Sequence, residues 1–212
     1  MAVLWDMDGT LIDSEKYWMA AEQQLAADYQ RDWGAGLGEK LVGLNLYDAA
    51  GILRREFGIS DLDDQQIIDR MTEIVVSKLT EAIPWRPGVT ELMAELSGLG
   101  VRSALVTGSM GRMARLVASQ VPRGSFDVVI AGDDVVHGKP HPEPYLQALD
   151  ALGLKAEQCI AIEDSPTGMI SAEAANLRVL GVTNLVQLHA GERSRIVPTL
   201  RGLRLADLDQ LW

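Results

Sequence analysis

Two carboxylates near the start of the chain are the first residues whose types and spacing suggest chemistry. Asp6 follows the apolar, strand-like residues 2–5, and Asp8 comes two positions later, ahead of Gly9. Because alternate residues of an extended chain point to the same side, both carboxylates can face one point beyond the strand. Two acids there repel each other unless a cation or a shared proton compensates. Taken alone, Asp-x-Asp-Gly is also typical of an acidic turn, so the rest of the chain must decide between the two interpretations.

Thr107 is the second candidate, and it follows a predicted strand over residues 101–106. Gly108, Ser109 and Gly111 open the next predicted helix. A hydroxyl group and free backbone N–H groups at a helix N-terminus suit a phosphate group, although an ordinary helix cap has the same pattern. The passage is neither a dinucleotide-binding fingerprint nor a serine nucleophile elbow.

Lys139 lies between Gly138 and Pro140, shortly before another predicted helix. A lysine held in this way can neutralise both a carboxylate and a phosphoryl oxygen. His137 and His141 flank it, but the glycine and prolines around them exclude the helical face that a zinc-binding His-x-x-x-His pair uses. We therefore expect both histidines to be loop residues with no metal role.

Glu163 and Asp164 form a second acidic pair, directly after the strand-like residues 159–162. An aspartate in this position is often a helix N-cap, but two adjacent acids leave one free to face a crevice. The four motifs together carry carboxylates, a hydroxyl with backbone donors, and a lysine. Mg²⁺ is usually held by one or two carboxylates with water and phosphate oxygens. These are therefore the groups needed to position and neutralise a phosphoryl group.

The four motifs must be positioned by the strands and helices predicted around them. Strands and helices alternate after residue 83, which predicts a doubly wound parallel α/β sheet. The predicted strands cover residues 101–106, 127–131, 159–162 and 178–182, and the predicted helices cover residues 90–99, 110–119, 142–152 and 166–176. In such a sheet the carboxyl ends of the strands border the ligand crevice, which is where the four motifs lie.

Residues 15–82 differ, because they have helical periodicity and no strand signal. Helices are predicted over residues 14–30 and 46–57, the second ending at Gly58, and a longer helix is capped by Asp61 or Asp63. We therefore expect two regions. Residues 1–14 and 83–212 form an α/β core, residues 15–82 form an inserted all-α cap, and a short amphipathic segment with Leu205, Leu208 and Leu211 closes the chain.

The composition limits the functional classes. The chain has 212 residues, 30 acidic against 19 basic residues and a formal charge of −11, which argues against nucleic-acid binding because that depends on lysine and arginine. No apolar run is long enough to cross a bilayer, and the N-terminus lacks the basic start of a signal peptide. The single cysteine, Cys159, fits buried packing. We expect a cytoplasmic protein without a membrane partner, and its oligomeric state is not readable.

The four motifs, in this order, resemble those of the haloacid dehalogenase superfamily, and specifically its β-phosphoglucomutase-like phosphatases with a helical cap. The resemblance covers essentially the whole chain. It rests on Asp6-Met7-Asp8-Gly9-Thr10, Thr107, Gly138-Lys139-Pro140 and Glu163-Asp164-Ser165-Pro166-Thr167-Gly168. It implies a Rossmann-like catalytic core and an Mg²⁺-dependent phosphatase that acts on a small phosphorylated metabolite such as a sugar or polyol phosphate.

The resemblance also implies a role for each motif residue. Asp6 is the nucleophile that forms an aspartyl-phosphate, and Asp8 protonates the leaving oxygen and then activates water. Thr107 and the Gly108 amide hold the phosphoryl oxygens, and Lys139 bridges Asp6 and the phosphate. The implied Mg²⁺ ligands are Asp6, the Asp8 carbonyl and Asp164, with Glu163 beside the ion through water.

Two alternatives stay open within this interpretation. The first is a β-phosphoglucomutase, but those enzymes carry a histidine where this chain has Trp18, and a cap arginine that aligns near Leu46. The second is a receiver-like phospho-signalling module, which shares the residue types but not the motif order or the helical insertion. Four cap residues are candidates for substrate contacts: Trp18, Lys40, Asn45 and Lys78. A tryptophan on an apolar stripe is more often part of the core, and lysines of this kind are more often solvated.

Overall fold

The computed structural model describes residues 1–34, 36–121 and 125–210, with the backbone alone at residues 39 and 209. Within these ranges the chain forms one parallel sheet with helices around it. The strands are β1 (Ala2–Trp5), β2 (Arg102–Val106), β3 (Val128–Ile130), β4 (Cys159–Glu163), β5 (Arg178–Val182) and β6 (Ser194–Val197). The helices are α1 (Glu15–Asp28), α2 (Leu37–Leu41), α3 (Leu46–Phe57), α4 (Asp64–Glu81), α5 (Val89–Gly98), α6 (Gly111–Ser119), α7 (Glu143–Leu152), α8 (Pro166–Ala174) and α9 (Leu205–Gln210).

The order of the strands explains why the motifs converge. The order across the sheet is β3-β2-β1-β4-β5-β6, and every neighbouring pair is parallel. Trp5, the last residue of β1, aligns with Leu105 on one side and Ile162 on the other. The segments after β1, β2 and β4 therefore leave the same sheet edge side by side. This confirms the predicted doubly wound fold.

Helices α1 to α4 form a helical insertion between β1 and α5, and none of its described residues is in a strand. Its apolar stripes pack on one another, with Leu25, Leu53, Ile68 and Met71 all buried. Asp63 begins α4 with a reciprocal capping box to Gln66, which satisfies two backbone N–H groups that a helix start leaves free.

The two connections between the insertion and the sheet lie against each other. Ile12 pairs with Trp85 in an isolated antiparallel bridge. The amide of Asp13 donates to the Pro84 carbonyl at 2.9 Å, and the amide of Arg86 donates to the Leu11 carbonyl at 2.9 Å. The insertion therefore leaves and rejoins the sheet at one place, directly behind the Asp6–Asp8 segment.

The structure differs from the sequence prediction at several points. Strand β6 was not predicted, because Ser194 and Arg195 interrupt its short apolar pattern and its pairing with β5 decides its conformation. The short helix α2 lies in a passage for which no helix was predicted. The C-terminal segment is helix α9 up to Gln210, and Leu211 lies outside the described residues.

Two further expectations can be compared with the structure. Cys159 is a buried free cysteine at the start of β4, as predicted. Among the described residues, no helix combines the length and apolar content that a membrane span requires.

Candidate active site

A cavity of about 680 Å³ lies between the carboxyl edge of the sheet and the helical insertion. Residues from both regions line it. The predicted site residues that reach it are Asp6, Asp8, Thr107, Gly108, Lys139 and Asp164. Glu163 is not in its lining and is fully buried just behind it.

Lys139 and Asp6 form a buried ion pair at the base of the cavity. The Lys139 Nζ donates to Asp6 Oδ1 at 2.7 Å, to Glu163 Oε1 at 2.6 Å and to the Val106 carbonyl at 2.9 Å. These three bonds use all the donors of an ammonium group. Burial lowers the pKa of Lys139, but the charges of Asp6 and Glu163 outweigh it and raise that pKa above its usual range. The lysine is therefore a fixed positive charge beside the Asp6 carboxylate.

Glu163 is the partner that holds this lysine in place. Its Oε1 also accepts a hydrogen bond from the buried Tyr145 hydroxyl at 2.7 Å, and its Oε2 is 3.3 Å from the Ser165 hydroxyl. Gly168 makes room for the carboxylate, because a Cβ there would lie 2.0 Å from Oε2. Both oxygens of Glu163 thus have protein partners.

Asp6 keeps one oxygen without a partner. Its Oδ2 is buried and has no hydrogen-bond donor among the described residues. Burial raises the pKa of the Asp6 carboxyl well above its usual range, the charges of Glu163 and Asp164 raise it further, and Lys139 opposes them. Carboxylate oxygens of Asp6, Glu163 and Asp164 lie within 4.8 Å of one another. An unpartnered buried oxygen in such an acidic cluster fits a hard divalent cation, which takes oxygen ligands and favours the ionised carboxylates.

Asp164 is oriented by a chain of hydrogen bonds from the connection between α4 and α5. Arg86 Nη1 donates to Asn184 Oδ1 at 2.6 Å, and Asn184 Nδ2 donates to Asp164 Oδ2 at 2.9 Å. Burial, followed by the charge of Glu163, raises the pKa of Asp164 to about 7. Gly9 passes so close that a Cβ there would lie 1.9 Å from Asp164 Oδ2. The glycine of the first motif is therefore needed for the approach of the two acidic segments.

The Asp8 carboxylate accepts hydrogen bonds from donors other than those that bind Asp6 and Asp164. Its Oδ1 accepts from the Ser14 hydroxyl at 2.5 Å and from the Trp18 indole Nε1 at 3.1 Å. Its Oδ2 accepts from the Ser109 hydroxyl at 2.6 Å. Ser14 precedes α1 and Trp18 lies within α1, so the insertion and the loop after β2 together fix this carboxylate.

Thr107 is the first residue after β2. Its side chain is buried and its Oγ1 accepts from the Ser109 amide at 3.0 Å. Helix α6 starts only at Gly111, and the Gly111 amide donates to the Asp133 side chain at 2.6 Å. Thr107 and Gly108 both line the cavity ahead of the helix, and the Thr107 amide donates to the Ile130 carbonyl at 2.9 Å.

The insertion contributes a different kind of lining. It offers two carboxylates, two amides, a phenol and an indole. Its polar lining residues are Glu15, Trp18, Glu22, Asn45, Tyr47 and Gln65. Lys139 is the one lysine or arginine among the described cavity-lining residues. Of the suggested substrate-contact residues, Trp18 and Asn45 line the cavity, whereas Lys40 and Lys78 are absent from its described lining.

Sequence reasoning missed several residues that complete this site. Ser14 lies at the N-cap position of α1, but its side chain makes no capping bond and instead donates to Asp8. No local pattern distinguishes the other supporting residues, because their partners are distant in sequence. These are Arg86, Ser109, Tyr145 and Asn184.

Comparisons with known proteins agree with this geometry. The family model for haloacid dehalogenase-like hydrolases matches residues 3–182. Hexitol phosphatase B of Escherichia coli (strain K12) is 30% identical over 188 residues, covering 86% of this chain and 83% of that protein. The phosphorylated carbohydrates phosphatase of Thermotoga maritima is 31% identical over 186 residues, covering 86% of this chain and 85% of that protein.

A solved structure is similar along nearly the whole chain. It is a mutant of CbbY from Rhodobacter sphaeroides in complex with xylulose 1,5-bisphosphate, 28% identical, with a TM-score of 0.87 and 98% coverage of both chains. The family match, the two curated relatives and the shared fold lead to one conclusion. The chain belongs to the haloacid dehalogenase-like hydrolase family.

Proposed function

We propose that this hydrolase is an Mg²⁺-dependent phosphatase that acts on a small sugar or polyol monophosphate through an aspartyl-phosphate on Asp6. The observation that carries the proposal is the buried Asp6 carboxylate, with Oδ1 on Lys139 and Oδ2 unpartnered. The names of the relatives support the substrate class, since they are a hexitol phosphatase and a phosphorylated carbohydrates phosphatase.

Asp6, Asp8 and Lys139 perform the proposed reaction. The Asp6 Oδ1 attacks phosphorus, the bond from phosphorus to the ester oxygen breaks, and Asp8 donates a proton to the departing oxygen. Asp8 then accepts a proton from water, which attacks the phosphorus of the aspartyl-phosphate and releases inorganic phosphate and free Asp6. Lys139 neutralises the phosphoryl oxygens throughout, and Thr107 and the Gly108 amide hold them.

The proposed metal site consists of Asp6, the Asp8 carbonyl and Asp164. Bound Mg²⁺ supplies charge neutralisation for the phosphoryl group and for the crowded carboxylates. Glu163 is better suited to hold Lys139 than to bind the ion directly, because both of its oxygens already have partners.

The charge of the cavity supports a monophosphate rather than a bisphosphate. The phosphate-binding end contains Lys139 and the proposed Mg²⁺ site, and the described insertion residues that line the opposite side add no lysine or arginine. A second phosphate there would lack the cation it needs. Uncharged hydroxyl groups, by contrast, can donate to Glu15 and Glu22 and exchange hydrogen bonds with Asn45 and Gln65. This disfavours both a sugar phosphomutase and a CbbY-like bisphosphate ligand.

We further propose that residues 15–82 are a cap over a catalytic core of residues 1–14 and 83–212. The cavity between the two regions and the adjacent pair of connections support this division. A cap in this position shields the aspartyl-phosphate from bulk water until the substrate is bound.

The test is phosphate release from a panel of hexitol, hexose and glycerol monophosphates and one sugar bisphosphate. We expect turnover of at least one monophosphate with Mg²⁺, no turnover with EDTA, and none in Asp6→Asn. Faster interconversion of glucose 1- and 6-phosphate than phosphate release identifies a mutase instead. A long-lived phosphoprotein without turnover supports the signalling alternative.

A further inference from the structure

A second group of metal-ligating side chains lies beside the active site, on the loop that carries Lys139. It consists of His137, His141 and Glu143, and one potential ligand atom from each lies within 4.8 Å of the others. Glu143 Oε2 is 2.9 Å from His137 Nδ1 and 4.0 Å from His141 Nδ1. The two imidazole rings are close, with centroids 4.7 Å apart.

Local backbone bonds prepare these groups for a cation. The amides of Val136 and His137 donate to the two oxygens of Glu143 at 2.8 and 3.0 Å, which fixes the carboxylate. The Glu143 amide donates to His141 Nδ1 at 3.2 Å, so the Nδ1 lone pair faces this cluster and a metal ion can take it in exchange for the hydrogen bond.

We propose that His137, His141 and Glu143 form a site for a late first-row transition-metal ion such as Zn²⁺, separate from the Mg²⁺ site. Imidazole nitrogens with a carboxylate suit zinc and its neighbours, whereas Mg²⁺ prefers oxygen ligands alone. Three protein ligands leave the fourth tetrahedral position to water. Ligand atoms around Zn²⁺ lie about 3.3 Å apart for bonds of about 2.0–2.1 Å. The half-exposed rings can make this small adjustment, since the His side chains are 64% and 51% exposed.

The fold brings the three residues together although their spacing excludes a helical pair. The His141 amide donates to the Gly138 carbonyl at 3.0 Å, which turns the chain back on itself. Helix α7 then begins with Glu143 facing both histidines. The sequence interpretation was correct about the loop conformation, but it did not anticipate this third ligand.

An ion at this site bridges the two sides of the catalytic loop. His137 and His141 lie two residues before and two residues after Lys139. The His141 carbonyl is already held by the Ser171 hydroxyl at 2.6 Å. We therefore expect metal binding to slow hydrogen exchange of the amides in residues 137–141.

The experiment is calorimetric titration of Zn²⁺ into the full chain in saturating Mg²⁺. An Asp164→Asn background weakens competition from the acidic cluster at the active site, because it removes one of its three carboxylates. We expect one Zn²⁺ per Asp164→Asn chain, with affinity about tenfold or more weaker when His137 or His141 is also replaced by alanine. The third histidine of the chain, the exposed His189, gives the matched control. Its alanine variant should bind as tightly as the unaltered background.

Two outcomes overturn the proposal. One is the absence of Zn²⁺ binding to the Asp164→Asn chain, and the other is equal affinity in the His137, His141 and His189 variants. Thermal unfolding without metal checks that each variant is folded. Titration with Co²⁺ provides a second measurement, because a site with imidazole ligands changes the visible absorption of that ion and the His141→Ala variant should lose the change.

Discussion

The two faces of the cavity are built on different principles. The core face, formed by Asp6, Asp8, Thr107, Lys139 and Asp164, consists of side chains tied into buried hydrogen-bond networks. The insertion face, formed by Glu15, Trp18, Glu22, Asn45, Tyr47 and Gln65, includes exposed side chains such as Tyr47 and Asn45.

This difference separates two requirements of the proposed reaction. Charge neutralisation in a phosphoryl transfer depends on groups fixed before the substrate arrives, and the core face meets that requirement. Recognition of a small hydroxylated substrate requires hydrogen-bonding groups that can adjust. We therefore expect substitutions on the core face to affect turnover and those on the insertion face to affect substrate preference. Trp18 is the exception, because it lies on the insertion but binds Asp8.

Among these substitutions, Asp6→Asn on the core face should cause the largest loss of activity. We expect loss of the proposed nucleophile to lower kcat by roughly 10⁴-fold or more, measured by phosphate release with Mg²⁺. The exposed Asp13 lies in the same segment, so Asp13→Asn is the matched control and should retain nearly full activity. Equal losses in both variants would contradict the special position of Asp6.

Lys139→Met should be the next most damaging change, and it should also reduce stability. It leaves the buried carboxylates of Asp6 and Glu163 without their cation. Breaking a buried ion pair costs about 3–5 kcal/mol of unfolding free energy, measured by urea denaturation. On the insertion, Lys78 has a 48% exposed side chain that is 3.7 Å from Glu81. Lys78→Met should therefore change the unfolding free energy by less than about 1 kcal/mol. A similar loss of stability in Lys139→Met and Lys78→Met would contradict the difference between the core face and the insertion.

Trp18→Phe tests an insertion residue that reaches the proposed acid. The change keeps an aromatic ring in the packing but removes the Nε1–H that binds Asp8 at 3.1 Å. We expect kcat to fall about tenfold, the cost of one hydrogen bond, with little change in KM and in thermal unfolding. Tyr47→Phe, which alters an exposed insertion residue, should leave kcat intact. A loss of stability without a loss of kcat in Trp18→Phe would indicate a packing role only.

Glu22→Gln should have the smallest effect, and that effect should grow as the pH rises from 4.5 to about 7. Burial, followed by the charge of Glu15, raises the pKa of Glu22 from 4.5 to about 7. The folded protein therefore takes up a proton that the unfolded chain releases between these values, and stability falls as pH rises through this window. We expect Glu22→Gln to gain about 1–2 kcal/mol at pH 8, after allowance for partial exposure. At pH 4.5 the gain should be near zero, and urea denaturation at the two pH values measures the difference. A pH-independent gain would show that the carboxylate is not the cause.

The sequence by itself determined the fold class and the positions where chemistry accumulates. Alternating strand and helix patterns predicted the parallel sheet, and Asp6, Thr107, Lys139 and Asp164 were recognisable because each follows a strand or opens a helix. These are local signals, and parallel-sheet topology brings strand ends to one edge whatever the side chains are.

Only the tertiary structure decided which partners complete those positions. Arg86 reaches Asn184 across 98 residues of sequence, Ser109 reaches Asp8 across 101, and Glu143 turns back onto His137 and His141. Strand β6 likewise depends on its pairing with β5. Contacts of this kind depend on how helices, strands and loops pack against one another. They leave no periodic pattern along the chain, so they can be identified only in the folded structure.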